Sequence, residues 1–144
     1  MNRLATIGYE GSTQAAVIEK LRDAGVELLI DVRAVASSRI AGFSKTLLAA
    51  SLKEAGIEYL HLQRLGTPKP GRDAARKGDI GTMRAIYEDH LTGHEPQLQL
   101  AQATELARER PVALLCFEAD AAGCHRRIVA EKIQAATGCE VVDL

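Results

Sequence analysis

The segment VELLIDVR, residues 26–33, decides the fold class of this 144-residue chain. Leu28, Leu29 and Ile30 are consecutive, so a strand here would present apolar side chains on both of its faces. Such strands are typical of parallel sheets that are covered by helices on both sides. The segment therefore predicts a buried strand within a parallel sheet.

Helix-period segments separate this strand from four further apolar runs. Upstream, Ser12 or Thr13 is predicted to cap a helix that ends at Gly25. The other predicted strands cover 4–9, 57–62, 111–118 and 139–144, and the other predicted helices cover about 45–55, 82–92, 95–109 and 121–136. This alternation predicts one three-layer α/β domain over 1–144, with a mainly parallel sheet of about five strands. The pattern leaves the strand order open.

Composition excludes several classes of protein. The formal net charge of -1 provides no overall attraction to nucleic acid or membrane, so an anion site would depend on local patterning. No segment is long and apolar enough for a signal peptide or a membrane span. Three cysteines without an export signal predict reduced thiols in a cytoplasmic protein. Neither a cofactor nor an oligomeric state is predicted.

The carboxyl ends of the predicted strands carry polar side chains. In open parallel sheets, ligands bind beyond these ends. Tyr9 and Glu10 end one strand, Asp31 and Arg33 end another, and Glu118 ends a third. The sequence therefore predicts a site at this edge. His61, within the apolar strand 57–62, is predicted to be a hydrogen-bonded core residue.

Three residues are candidates for catalysis: Cys124, Glu118 and Glu10. If Asp120 caps the helix 121–136, Cys124 lies in its first turn, where the helix dipole favours the thiolate. Glu118 or Glu10 could then transfer a proton. Alternatively, Cys124 packs as a small apolar side chain. Cys116 and Cys139 are predicted to be core or structural residues.

Five basic residues are candidates for anion binding: Arg33, Arg39, Lys45, His125 and Arg126. For Arg33 and Arg126, a structural salt bridge is the alternative to anion binding. Arg33 could form a salt bridge with Asp31, and Arg126 could pair with Glu118 or Asp120. Arginine in particular can hold a phosphate or carboxylate through two parallel hydrogen bonds.

Residues 63–79 contain two prolines and three glycines and are predicted to form an irregular loop. They carry five basic and two acidic side chains, which gives the segment an excess of positive charge. Long loops in compact domains are often functional. The candidate nucleic-acid contacts are therefore Phe43, Arg64, Lys69, Arg72, Arg76 and Lys77. Phe43 would serve as a base-stacking surface, but it could instead simply anchor its loop. No metal site is predicted, because Cys116, Cys124 and His125 lack the usual ligand spacing.

Five short motifs together carry a resemblance to a known family. They are TIGYEG at 6–11, DVR at 31–33, GFSK at 42–45, YLHL at 59–62 and the pattern C-F-E-x5-C-H-R at 116–126. In combination they resemble the domain-of-unknown-function family numbered 488. The resemblance implies a fold and a site but no established reaction.

The residues thus predict an anion site at the carboxyl edge of the sheet, for phosphate, a nucleotide or nucleic acid. The domain could be a small cysteine-dependent enzyme. The alternatives are a non-catalytic nucleic-acid or nucleotide-binding module and a protein-interaction domain.

Overall fold

The computed structural model describes residues 3–144, which contain a five-stranded, fully parallel sheet. Its strands are β1 (Arg3–Gly8), β2 (Leu28–Asp31), β3 (Glu58–His61), β4 (Val112–Cys116) and β5 (Glu140–Asp143). The strand order is β3-β2-β4-β1-β5. Both β2 and β4 are completely buried, as expected for central strands that are apolar on both faces. The predicted α/β class is confirmed.

Helices cover both faces of the sheet and make it the middle of three layers. The helices are α1 (Gln14–Asp23), α2 (Lys45–Glu54), α3 (Lys69–Arg76), α4 (Ile80–His90), α5 (His94–Glu109) and α6 (His125–Thr137). Apolar residues of α1 and α2 pack against one face of the sheet. Those of α3, α4, α5 and α6 pack against the other. None of the helices within 3–144 is long and apolar enough to cross a membrane.

The segment 63–79 is not irregular as predicted. A 3-10 turn forms at Gln63–Leu65, and α3 follows at Lys69–Arg76. The prolines misled the prediction, because Pro68 stands at the N-cap and Pro70 lies in the first turn, where the missing N–H is not needed. The segment therefore presents its basic side chains on an ordered helix.

The predicted helix 121–136 is also divided. Asp120 caps only a 3-10 turn at Ala121–Gly123, accepting a hydrogen bond from the backbone N–H of Ala122. Cys124 is the N-cap of α6, and its Sγ lies 3.5 Å from the backbone N of Arg126. Cys124 thus precedes the first helical turn instead of lying within it.

Candidate functional site

A buried ion pair supports the carboxyl edge of the sheet. Asp31, at the end of β2, accepts hydrogen bonds from Arg33 Nε at 2.8 Å and from Arg33 Nη2 at 2.6 Å. Tyr59 Oη adds a third donor at 2.5 Å. Burial alone would lower the pKa of Arg33, but the hydrogen bonds and charge of Asp31 raise it above its usual value. The salt bridge foreseen as the structural alternative for Arg33 is therefore present.

Of the two roles predicted for Phe43, the structure supports the loop anchor and not the base-stacking surface. Phe43 is 0% exposed and stacks on Tyr9, with ring centroids 4.4 Å apart. It therefore anchors its loop and presents no face to a nucleic-acid base. The exposed aromatic surface belongs instead to Phe117, which is 41% exposed and meets Tyr9 edge to face. Sequence reasoning missed Phe117, because strand alternation alone does not show where a strand ends.

A cavity of about 680 Å³ opens at this edge of the sheet. Its volume lies within the range of small-molecule sites, roughly 300 to 1,000 Å³. Four separate regions of the chain form its wall. The lining residues are Tyr9, Glu10, Arg33, Ala34, Val35, Ser37, Ser38, Arg39, Thr67, Arg72, Ala75, Arg76, Met83, Phe117, Glu118, Gly123, Cys124 and His125.

Three arginines besides Arg33 give the cavity its basic character. Arg39 is exposed, and Arg72 donates from Nη1 to the carbonyl of Thr67 at 2.8 Å. Arg76 pairs with Asp73, which also binds Lys69. One carboxylate therefore serves two cations, so the positive charge at this wall is only partly neutralised.

The other predicted basic contacts lie outside this cavity. Lys45 lines a hollow of about 490 Å³. Arg64 lines a hollow of about 330 Å³ and pairs with Glu95 at 2.8 Å. Lys69 and Lys77 are exposed on and after α3 without lining the cavity. Of the contacts predicted on 63–79, the structure brings only Arg72 and Arg76 to the cavity.

Two carboxylates face the cavity beside the cations. Glu10 is exposed and accepts a hydrogen bond from the backbone N–H of Ala119 at 3.1 Å. Glu118 is half-buried, and burial raises the pKa of its carboxyl group above the ordinary value. A carboxyl with a raised pKa can exchange protons closer to neutral pH. Glu118 and Glu10 both remain predicted proton carriers.

The predicted reduced state is wrong for two of the three cysteines. Cys116, at the end of β4, and Cys124, before α6, are joined by a disulfide. Cys139 is free and buried, as predicted. The exposed fractions of Cys116 and Cys124 are 1% and 2%, but Cys124 lines the cavity. In this state Cys124 has no free thiol with which to act as a nucleophile.

Arg126 does not line the cavity, although the sequence predicted it as an anion contact. Its side chain is fully buried. Nη1 donates to the carbonyl of Glu118 at 2.5 Å, and Nη2 donates to that of Ala119 at 3.2 Å. Burial lowers the pKa of this guanidinium. The predicted alternative, a pair with the carboxylate of Glu118 or Asp120, is not formed either, since backbone carbonyls take its place.

His125 lines the cavity as a neutral imidazole. Its Nε2 lies 2.6 Å from the carbonyl oxygen of Val32, which can only accept, so Nε2 carries the proton. Nδ1 is then unprotonated and lies 3.7 Å from Cys124 Sγ. Burial lowers the pKa of His125 to about 4. The positive charge predicted for it is therefore absent at neutral pH.

We expect the His125 imidazole to remain neutral down to about pH 4. The unfolded chain protonates near pH 6.5, so it binds more protons than the native protein below that pH. This histidine should therefore reduce the stability by about 3 kcal/mol as the pH falls from 6.5 to 4. NMR titration of the His125 ring in the native protein tests this expectation. A titration midpoint near pH 6.5, the value of an unperturbed histidine, would contradict it.

Two cysteines and Glu118 place possible metal ligands close together. The possible ligand atoms of Cys116, Glu118 and Cys124 all lie within 4.8 Å of one another. The disulfide, however, engages both sulfurs, so this state offers no pair of thiolates to a metal. The absence of a metal from the protein remains a prediction.

His61 is half-buried on the edge strand β3, and its Nε2 lies 2.7 Å from the carbonyl of Arg33. The predicted hydrogen bond is present, but the residue lies less deep than expected. This hydrogen bond from the ring fixes the backbone carbonyl of Arg33 and so helps to position that residue.

Comparisons with known proteins identify one family. The family model described as "Domain of unknown function DUF488" matches residues 13–133. No curated protein and no solved structure matches the chain significantly. The match covers most of the sequence and includes the DVR, GFSK, YLHL and C-F-E-x5-C-H-R motifs. The chain therefore belongs to the DUF488 family, a family defined by a domain of unknown function.

Proposed function

We propose that the cavity binds a small phosphate-bearing molecule, with a nucleotide as the preferred class. The observation that carries this proposal is the position of Arg39 and Arg72 on the cavity wall. Within 3–144 no ion pair links either guanidinium to a carboxylate of the protein. Each therefore has N–H donors left for phosphate oxygens, which arginine binds in a bidentate manner.

The exposed ring of Phe117 supports a nucleotide over inorganic phosphate alone. It lies on the wall of the same cavity as the arginines. Stacking of a base on an aromatic ring contributes about 1–3 kcal/mol per base. A molecule with a flat apolar part and a phosphate would use both features of the wall.

A small molecule is favoured over a nucleic-acid strand. The predicted stacking residue Phe43 is buried, and Lys45 and Arg64 line adjoining hollows instead of the cavity itself. Phe117 is therefore the one exposed phenylalanine ring within 3–144, whereas a strand would stack its successive bases on several aromatic rings. The cytoplasmic location predicted from the sequence belongs to this proposal, because nucleotides are abundant there.

Binding can be tested by thermal melting with ATP and with pyrophosphate as probes. Wild type should gain several degrees in Tm at millimolar probe, because a ligand that binds only the native state stabilises it. The double variant Arg39→Gln, Arg72→Gln should lose that gain. The matched control Lys53→Gln, Lys77→Gln removes the same charge from exposed positions outside the cavity and should retain it.

The comparison uses only the ligand-induced shift of each protein, so a change in its intrinsic Tm does not matter. Equal shifts in the arginine variant and the lysine control would contradict the proposal. Binding of single-stranded DNA in preference to ATP would instead favour the nucleic-acid alternative. Repeating the titration at two salt concentrations separates the two ligands, because strand binding weakens steeply with salt.

A further inference from the structure

The two bonded sulfurs have different relations to the cavity. Cys124 lies on its wall, whereas Cys116 lies behind it at the end of the buried strand β4. A molecule that enters the cavity therefore meets Cys124 first. Cys116 is 1% exposed and does not line the cavity.

Arg126 places a buried positive charge beside this pair. Its Nη1 lies 3.0 Å from Cys116 Sγ, and its backbone N lies 3.5 Å from Cys124 Sγ. Its Nε is buried and has no hydrogen-bond partner. A buried charge without an anionic partner is costly. Reduction of the disulfide would create a thiolate beside the guanidinium and would supply that partner.

The predicted cytoplasmic location bears on the role of the disulfide. If the protein is cytoplasmic, a disulfide in it is expected to be transient and catalytic or redox-sensing, because that compartment keeps structural thiols reduced. A cation that stabilises the reduced form makes a disulfide easier to reduce. The predicted location and the nearby positive charge both favour a cysteine pair that alternates between the disulfide and the dithiol.

We propose that Cys116 and Cys124 form a dithiol–disulfide exchange site for low-molecular-weight disulfides that enter the cavity. Cys124 is the attacking residue, Cys116 is the resolving residue, and Arg126 is the positioning residue that holds charge beside them. This inference does not depend on the proposed phosphate ligand. A small reagent is favoured because Cys124, a residue only 2% exposed in a cavity wall, is inaccessible to a disulfide on a protein surface.

The exchange conserves atoms and electrons. The Cys124 thiolate attacks one sulfur of the small disulfide, whose S–S bond breaks and releases one thiolate. Cys116 then gives its proton to Glu118 Oε2, 3.4 Å away, and becomes a thiolate beside the Arg126 guanidinium. This thiolate attacks Cys124 Sγ in the mixed disulfide, and the second thiolate of the reagent leaves. Two electrons have moved to the reagent, which becomes two thiols by taking the proton from Glu118 and one from solvent.

Glutathione disulfide is the probe, in a Cys139→Ser background that leaves only this pair. In that background, reduced protein should convert to the intramolecular disulfide and return on addition of reduced glutathione. With Cys116→Ser added, Cys124 should retain one glutathione as a mixed disulfide. With Cys124→Ser added, Cys116 should react at least about tenfold more slowly, because it does not line the cavity. Intact-protein mass spectrometry measures each product.

The role of Arg126 is tested by redox equilibrium with glutathione. Arg126→Gln should shift the equilibrium toward the disulfide by at least about tenfold, because the reduced form loses its stabilising charge. Arg126→Lys keeps the charge and should shift it less. If Arg126→Gln does not fold, the serine variants still decide the order of attack.

Several results would overturn the proposal. Failure of the Cys116→Ser protein to trap glutathione would remove Cys124 as the attacking residue. Equal trapping rates in the two serine variants would remove the assigned order. Stoichiometric zinc retained by the reduced protein against a chelator would indicate a metal site built from Cys116, Cys124 and Glu118 instead. Loss of ATP binding alone would affect only the phosphate proposal.

Discussion

Replacement of Asp31 by Asn should lower the free energy of unfolding by about 3–5 kcal/mol. The substitution keeps the shape of the side chain but removes its charge, which leaves the Arg33 guanidinium buried without a counter-ion. Arg33 lines the cavity, so its displacement should also weaken ligand binding. Urea denaturation measures the stability, and the ATP-induced melting shift measures the second effect.

Tyr59→Phe is the matched control for Asp31→Asn. It removes one hydrogen bond to the same carboxylate and leaves the ion pair intact. The expected loss is about 1 kcal/mol. If Asp31→Asn cost no more than Tyr59→Phe, the ion pair would not be the main support of this edge. Joint replacement of Asp31 and Arg33 by leucine and methionine should recover much of the loss, since no buried charge then remains unpaired.

Strand alternation was sufficient to predict that Asp31 and Arg33 share one side of a strand. Strand ends of a parallel sheet meet at one edge, which is why Tyr9, Glu10, Arg33 and Glu118 gather around the cavity as expected. The strand order β3-β2-β4-β1-β5 could not be predicted. Hydrophobic periodicity shows which faces are buried, but not which strand lies beside which.

The sequence left two roles open for Phe43 and gave a wrong prediction for 63–79, and the two shortcomings have different physical causes. Phe43 is buried because Tyr9, which is more than 30 residues away in sequence, stacks on it, and local sequence contains no record of that contact. The error at 63–79 was avoidable. A proline in the first helical turn is compatible with a helix, and the alanines and basic residues after Pro70 favour one.

Predicting the cysteine pair required the local sequence, which shows burial, and the three-dimensional path of the chain, which sets the distance between the sulfurs. Cys116 ends a buried strand, and the sequence predicted its burial correctly. Its distance from Cys124 depends on the path of 117–123, which Arg126 holds through its hydrogen bonds to the carbonyls of Glu118 and Ala119. The buried arginine therefore shapes the segment that brings the two sulfurs together. Sequence spacing alone could not reveal this.

The backbone of 118–119 leaves no room for a side chain at position 8. Gly8 ends β1 beside Cys116, and a Cβ added there would lie 1.7 Å from the carbonyl oxygen of Glu118 and 2.5 Å from its carbonyl carbon. Both atoms belong to the backbone, so no side-chain rotation relieves the overlap. The carbonyl that would be displaced is also the acceptor for Arg126 Nη1. One methyl group at Gly8 should therefore disturb the strand end, the buried arginine and the cysteine pair together.

Gly8→Ala is accordingly expected to lower the free energy of unfolding by at least about 4 kcal/mol, a loss seen only when a core or backbone contact is broken. Gly81→Ala is the control, because Gly81 lies within α4 and its added Cβ would meet no atom within 4 Å. That change should stabilise the protein by about 0.5–1 kcal/mol, since alanine favours a helix over glycine. Urea denaturation of both variants beside wild type gives the two values. A Gly8→Ala protein within 1 kcal/mol of wild type would show that 118–119 can move away, and hence that the contact with β1 does not hold this wall of the cavity in place.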